Sequence, residues 1–242
     1  MKLIRPVAHP IIHLGYAYEL SSQTVAIEAL GLATCFYDKL HKYIDDPSYT
    51  RPATFKSKSL VEILTKVAAD QRFDDHSDVP GDESIESVTD KKEDLLLNYW
   101  NAWDIGSNPR EQFAESQRAA TAVVVGTHDK SHKYDFFLLH ALTSSHAVRI
   151  LLPLIPEKFH ISLVRQWWLF ALMAYIGQLR PSIDLKKIED YELDGKGWEN
   201  AKHLALTSKH AQDAHYVKGM YAIFFYKRMA PVSTNTRQES VQ

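Results

Sequence analysis

Twelve histidines and a single cysteine stand in this 242-residue chain. Imidazole is the side chain best suited to bind first-row metals or to move protons near neutral pH. His41, His76, His128, His132 and His160 lie in polar or lysine-rich stretches and read as surface residues. His9, His13, His140, His146, His203, His210 and His215 lie in segments that read as helical. The most pointed setting is FFLLHALTSSHAVRILLP, from Phe136 to Pro153, apolar on both sides of a polar centre. At helical spacing His140, Thr143 and Ser144 share one face, whereas His146 lies about 240° round the helix. A histidine in such a segment needs a partner, because an unpaired buried polar group is costly. A hydrogen bond to a carbonyl or hydroxyl would satisfy it, and so would a metal ion.

Near the end of the chain His215 and Lys218 form an H-x-x-K pair pointing to one side of a helix. His203 and His210 would share a face only if their helix were continuous. A lysine becomes a ligand when burial lowers its pKa, or when its neutral amine captures carbon dioxide as an anionic carbamate. Otherwise Lys218 is a solvated cation.

Other chemistries are excluded by the residues present. Gly195-Lys196-Gly197 is the only G-x-G, and Asn200 occupies the place of the third glycine of a dinucleotide fingerprint. Walker, G-x-S-x-G and H-E-x-x-H motifs are absent from the sequence. Cys35 lies in an apolar stretch without an activating neighbour, so a packing role is expected. One cysteine also rules out a disulfide within the chain and suits a reducing, cytoplasmic location. Twenty-eight basic against thirty acidic residues leave a net charge of −2, which gives no footprint for nucleic acid or an anionic membrane. The segment 1–12 carries two prolines and no continuous apolar core, so no secretory signal is read there. The run WWLFALMAYIG, from Trp167 to Gly177, is too short to span a bilayer and reads as a buried helix.

The elements that must position these histidines are helices, since period-two patterns are nearly absent. The expectation is an all-α, irregular multi-helix bundle. It forms a single helical domain over 1–229, with a disordered tail over 230–242. His9 followed by Pro10 predicts an N-cap and a helix carrying His13, Tyr16 and Ala17 on one face. A second helix is predicted over 24–43, where Ala26, Ala29, Gly31, Ala33 and Thr34 permit close approach. Further helices are expected over 59–69, 111–125, 136–153 and 159–179, and over 198–227 with a break near 210–213. The β-branched end of 111–125 disfavours helix, and the acidic stretch 70–94 reads as a surface loop or insertion. Trp100, Trp103, Trp167, Trp168 and Tyr175 could line an aromatic pocket or simply form core.

Taken together, HPIIHLGYAYE, VAIEALGLAT, FFLLHALTSSHAVRILLP, GWENAKHLAL and DAHYVKGMYA resemble, in order, the questin oxidase-like family of fungal secondary-metabolite enzymes. The resemblance runs from residue 9 to about residue 225 and corresponds to the C-terminal part of the family pattern, without the histidine-rich N-terminal part. It implies oxygen insertion and ring opening of a polyketide-derived anthraquinone- or xanthone-type substrate, using O2. It also implies Fe2+ held by His13, His140, His215 and Lys218, with His9 a lesser candidate because Pro10 suggests capping. Two readings stand beside this one. The first is an NADPH-linked Baeyer–Villiger oxidase without bound metal. The second is a non-catalytic helical remnant whose apolar surface is covered by an oligomer or partner chain.

Overall fold

The computed structural model describes residues 7–36, 39–129, 134–192 and 194–229. Twelve α-helices and no β-strand occur among them, as the sequence pattern predicts. They are α1 His9–Glu19, α2 Gln23–Cys35, α3 Lys42–Asp45, α4 Leu60–Ala69, α5 Asp82–Lys91, α6 Glu93–Asn101, α7 Pro109–Thr121, α8 Phe136–Leu151, α9 His160–Gly177, α10 Lys186–Glu189, α11 Trp198–Thr207 and α12 Ala214–Met229. No helix among the described residues is long and apolar enough to cross a membrane.

The centre of the bundle is α9, apolar on all sides and buried along nearly its whole length, as such a composition requires. It packs against α3, α5, α6, α7 and α8. Trp100, Trp103, Trp167, Trp168 and Tyr175 are all buried here, each at most 5 % exposed. Trp103 lies edge-on to both Trp167 and Trp168. These rings are core, and the aromatic-pocket alternative is set aside.

On one side of α8 lie α1 and α12. Where α1 crosses α8, Gly15 allows a backbone-to-backbone approach: a Cβ there would stand 2.7 Å from Ala147 Cβ and 2.8 Å from Ala147 Cα. The starts of α1, α8 and α12 meet, because His9, His140 and His215 are neighbours, while Glu19, His146 and Tyr221 meet further along. The three helices therefore run in the same direction.

Several local expectations are corrected. The stretch 70–94 is not a surface loop: α5 is packed on α9, with Ile85 and Val88 buried and Phe73 fully enclosed. Its acidic residues occupy the outer face, and composition alone conceals the spaced apolar ones. The helix predicted over 24–43 stops at Cys35, and α3 is a separate piece. Of the small residues on α2 only Ala29 is buried, and Gly31 has open space where a side chain would stand. Cys35 is exposed, so it has no packing role. The β-branched run after α7 forms a π-helical turn, Ala122–Gly126, instead of continuing as α-helix. A break does separate α11 from α12, leaving exposed His203 on α11 and exposed His210 in the turn between the two helices. The tail 230–242 lies outside the described residues.

Three of the five histidines read as surface residues are buried: His41, His76 and His160. His76 shows the reason. Its Nδ1 donates to Phe73 O at 2.6 Å, so its Nε2 accepts from Ser84 Oγ at 3.0 Å. With both ring nitrogens satisfied, burial costs little. His160 donates to Ile155 O at 3.1 Å. His128 is partly buried and stacked on Tyr134, and His132 lies outside the described residues.

Candidate metal centre

His140 opens the site. Asp135 caps α8 by accepting from the Leu138 N–H, and His140 follows in the first turn and a half, 1 % exposed. Its Nδ1 donates to Phe136 O at 2.7 Å. That bond fixes the neutral tautomer and leaves the Nε2 lone pair facing outward from α8. The hydroxyls predicted to share its face do not serve it. Thr143 donates to Leu139 O and His140 O, and Ser144 to Ala141 O.

His140 Nε2 faces His9 Nε2 at 3.1 Å. His9 is not the N-cap that the His-Pro pair suggested. Ala8 holds that position with φ 58°, and His9 is the first residue of α1. The chain enters the helix through two successive left-handed residues, Val7 (φ 47°) and Ala8. Such a conformation is unfavourable for a β-branched residue and is kept only where surrounding contacts enforce it. His215, in the first turn of α12, completes the group: one ligand atom from each of His9, His140 and His215 lies within 4.8 Å of the others. Asp213 orders that turn by accepting from the N–H groups of His215 and Tyr216. Phe136 closes one side, its ring 4.4 Å from that of His140 and 5.0 Å from that of His215.

Of the residues expected to form the site, the fold brings together His140 and His215, and adds His9. His13 lies one turn along α1, its ring 5.6 Å from that of His9. Its Nδ1 is 3.4 Å from Glu28 Oε1 without forming a hydrogen bond. Lys218 is half-buried and close enough to act electrostatically on both His9 and His140. The signal that could have raised His9 is the H-P-x-x-H spacing itself, which sets His9 and His13 on one face of α1.

Burial is the main reason both His9 and His140 are pushed down to about 4. The neighbouring imidazoles and the Lys218 ammonium act in the same direction, while Glu28 opposes for His9 and the Phe136 carbonyl for His140. Burial likewise lowers Lys218, with Asp213 opposing. Three helix starts converge here, and their partial positive charge also disfavours protonated rings. Burial thus holds His9 and His140 in the neutral form at pH 7, the state in which imidazole binds metals.

The donor set suits an ion. Two imidazole nitrogens at right angles on a metal, each roughly 2.1 Å away, stand about 3 Å apart, matching the His9–His140 separation. Neutral imidazoles suit iron, zinc, copper or nickel. His146, on another face of α8 as predicted, belongs to a different network, bonding Glu19 at 2.9 Å.

An all-α bundle with three imidazoles gathered at converging helix starts is the class defined by fold and site. A family model described as questin oxidase-like matches residues 1–223. The chain belongs to that family. It is 25 % identical over 234 residues to a Baeyer–Villiger oxidase of Pestalotiopsis microspora, covering 89 % of this chain and 51 % of that protein. A Baeyer–Villiger monooxygenase of Aspergillus aculeatus is 27 % identical, with 95 % and 54 % covered. A Baeyer–Villiger oxidase of Paecilomyces divaricatus is 24 % identical, with 92 % and 51 % covered. The chain spans about half the length of the curated relatives it matches.

Proposed function

We propose that this chain is an oxygenase of fungal secondary metabolism, inserting one oxygen atom beside a ring carbonyl of a polyketide-derived anthraquinone- or xanthone-type substrate. The observation that carries this reading is the 3.1 Å approach of His9 and His140 with His215 beside them. His9, His140 and His215 would hold Fe2+, and Lys218 would add a fourth donor as its neutral amine or carbamate. Iron, when bound, supplies the one-electron chemistry with dioxygen that organic side chains lack.

The chain's own residues do the rest. The exposed face of Phe136, a ring 44 % open to solvent, offers a surface on which a flat aromatic substrate stacks beside the histidines. The converging helix starts favour a substrate bound as a phenolate. In the overall balance, one atom of O2 enters the ring and the other leaves as water. That requires two electrons and two protons, with NADPH as an external electron source.

Elemental analysis of protein reconstituted with Fe2+ tests the reading, alongside His140→Ala and Lys218→Ala. Near-stoichiometric iron in the wild type and its loss in both variants are expected. With a hydroxyanthraquinone and 18O2, the product should carry one labelled atom. A wild-type chain that binds no iron would sink the metal reading. NADPH-dependent turnover in metal-stripped protein would establish the metal-free alternative in its place.

A further inference from the structure

One helical turn beyond Lys218 lies a second buried polar group that no step above uses. His146, 2 % exposed on α8, is its hub. Arg149 Nη2 donates to His146 Nδ1 at 2.8 Å, so His146 Nε2 carries the proton and donates to Glu19 Oε2 on α1 at 2.9 Å. From α12, Tyr221 donates to the other oxygen of Glu19 at 3.3 Å. The rings of Tyr221 and Phe225 lie edge-on to His146, at 5.2 and 5.6 Å. Tyr16 of α1 stands 6.2 Å from both His146 and Tyr221. One side chain on α8 is thus tied to both helices that carry the other two histidines.

Elsewhere α12 packs on α11, where Trp198 lies edge-on to Phe224, but few of its side chains are enclosed. Only Gly219 and Ala222 are buried among its described side chains. Gly219 lies so close to Leu139 that an added Cβ would stand 2.8 Å from its Cδ1. Leu139 seated over a glycine brings the helices together, but an apolar contact of this kind carries no directional bond to fix their register. Hydrogen bonds can fix it, because a shift of one residue moves every group 1.5 Å along the axis and about 100° round it. His215 and Lys218 lie on the same helix, two turns or less from Tyr221, and inherit whatever register it adopts.

We propose that Glu19, His146 and Tyr221 form a register clamp that positions α12, and through it His215 and Lys218, against His9 and His140. They are positioning residues, remote from the three imidazoles and in no contact with them. The consequence for metal binding rests on the reading given above, whereas the effect on α12 itself does not.

The experiment compares the wild type with Tyr221→Phe, Glu19→Gln and His146→Gln, first metal-free and then with Co2+ as a spectroscopic probe. Tyr221→Phe keeps the ring packing and removes only the hydroxyl, so it guards against simple misfolding. In metal-free protein, amide hydrogen exchange is expected to accelerate over 214–225 while α1, α8 and α9 stay protected. With Co2+, affinity is expected to fall roughly tenfold, the lower end of the effect of losing groups that orient ligands. The visible bands should shift toward those of His215→Ala. Glu19→Asp, which retains the acceptor, should restore part of both. Unchanged protection of 214–225 in all three variants overturns the clamp, as does a uniform loss of protection across every helix. If the wild type binds no Co2+ or Fe2+ while α12 still loosens in the variants, the clamp stands and the metal reading falls.

Discussion

Acid should destabilise this protein through His140 by an amount that can be worked out beforehand. Unfolded, the imidazole has its ordinary value of 6.5; folded, burial pushes it down to about 4. Below pH 6.5 the unfolded state binds the proton and the folded state refuses it, so stability falls as pH drops from 6.5 toward 4. Between pH 7 and pH 4.5 the two values give a loss of about 2.4 kcal/mol for one group. His9 lies 3.1 Å away and is also depressed, so the pair titrates as a unit. His9 is half-buried, and its share is discounted for solvent screening. The assay is urea unfolding of chelator-treated wild type and His140→Gln at pH 7 and pH 4.5. Comparing the pH-induced change in each cancels the effect of the substitution at neutral pH. The variant should lose about 2 kcal/mol less than the wild type, a midpoint difference of just under 1 M for a urea slope of about 2–3 kcal/mol/M. Equal losses in the two proteins would show that His140 is not held neutral by burial, and the electrostatic account of the site would fail.

Three further outcomes are expected. Gly15→Val should force α1 from α8, because the new side chain meets the Ala147 backbone; a cost of roughly 2–3 kcal/mol in denaturant unfolding should accompany weaker Fe2+ binding, since His9 moves with α1. His76→Ala should cost about 2–3 kcal/mol by stranding Ser84 and leaving a cavity beneath α5, with proteolysis over 70–81 the most direct check. Bicarbonate should tighten Fe2+ binding to the wild type but not to Lys218→Ala, because burial favours the neutral amine at Lys218. That amine loses one proton as it takes up carbon dioxide to form the carbamate, and calorimetry at fixed pH with and without bicarbonate reads the difference.

Much of the fold was legible because helix periodicity is local. The apolar run in α9 and the short helix read over 59–69 are each written in a few consecutive residues. Where the reading failed, the missing information was non-local. His76 sits among acidic residues yet is buried, because its partners are Phe73 and a serine on the next helix. Glu19 drew no attention, since its partners His146 and Tyr221 lie on α8 and α12.

The site divides in the same way. The sequence alone determined that the protein is helical and that His140 would sit in an apolar helix with its neighbours on a known face, and it left histidines as the candidates for chemistry. It also paired His215 with Lys218, since both lie on one stretch of helix. Only the tertiary structure decided that His9 joins His140 and His215, whereas His13, His146, His203 and His210 stand elsewhere. The approach depends on a glycine that lets two backbones touch and on a helix start shaped by left-handed residues. It depends also on three helices running in one direction. Periodicity fixes the face on which a side chain lies, but the distance between faces belongs to packing.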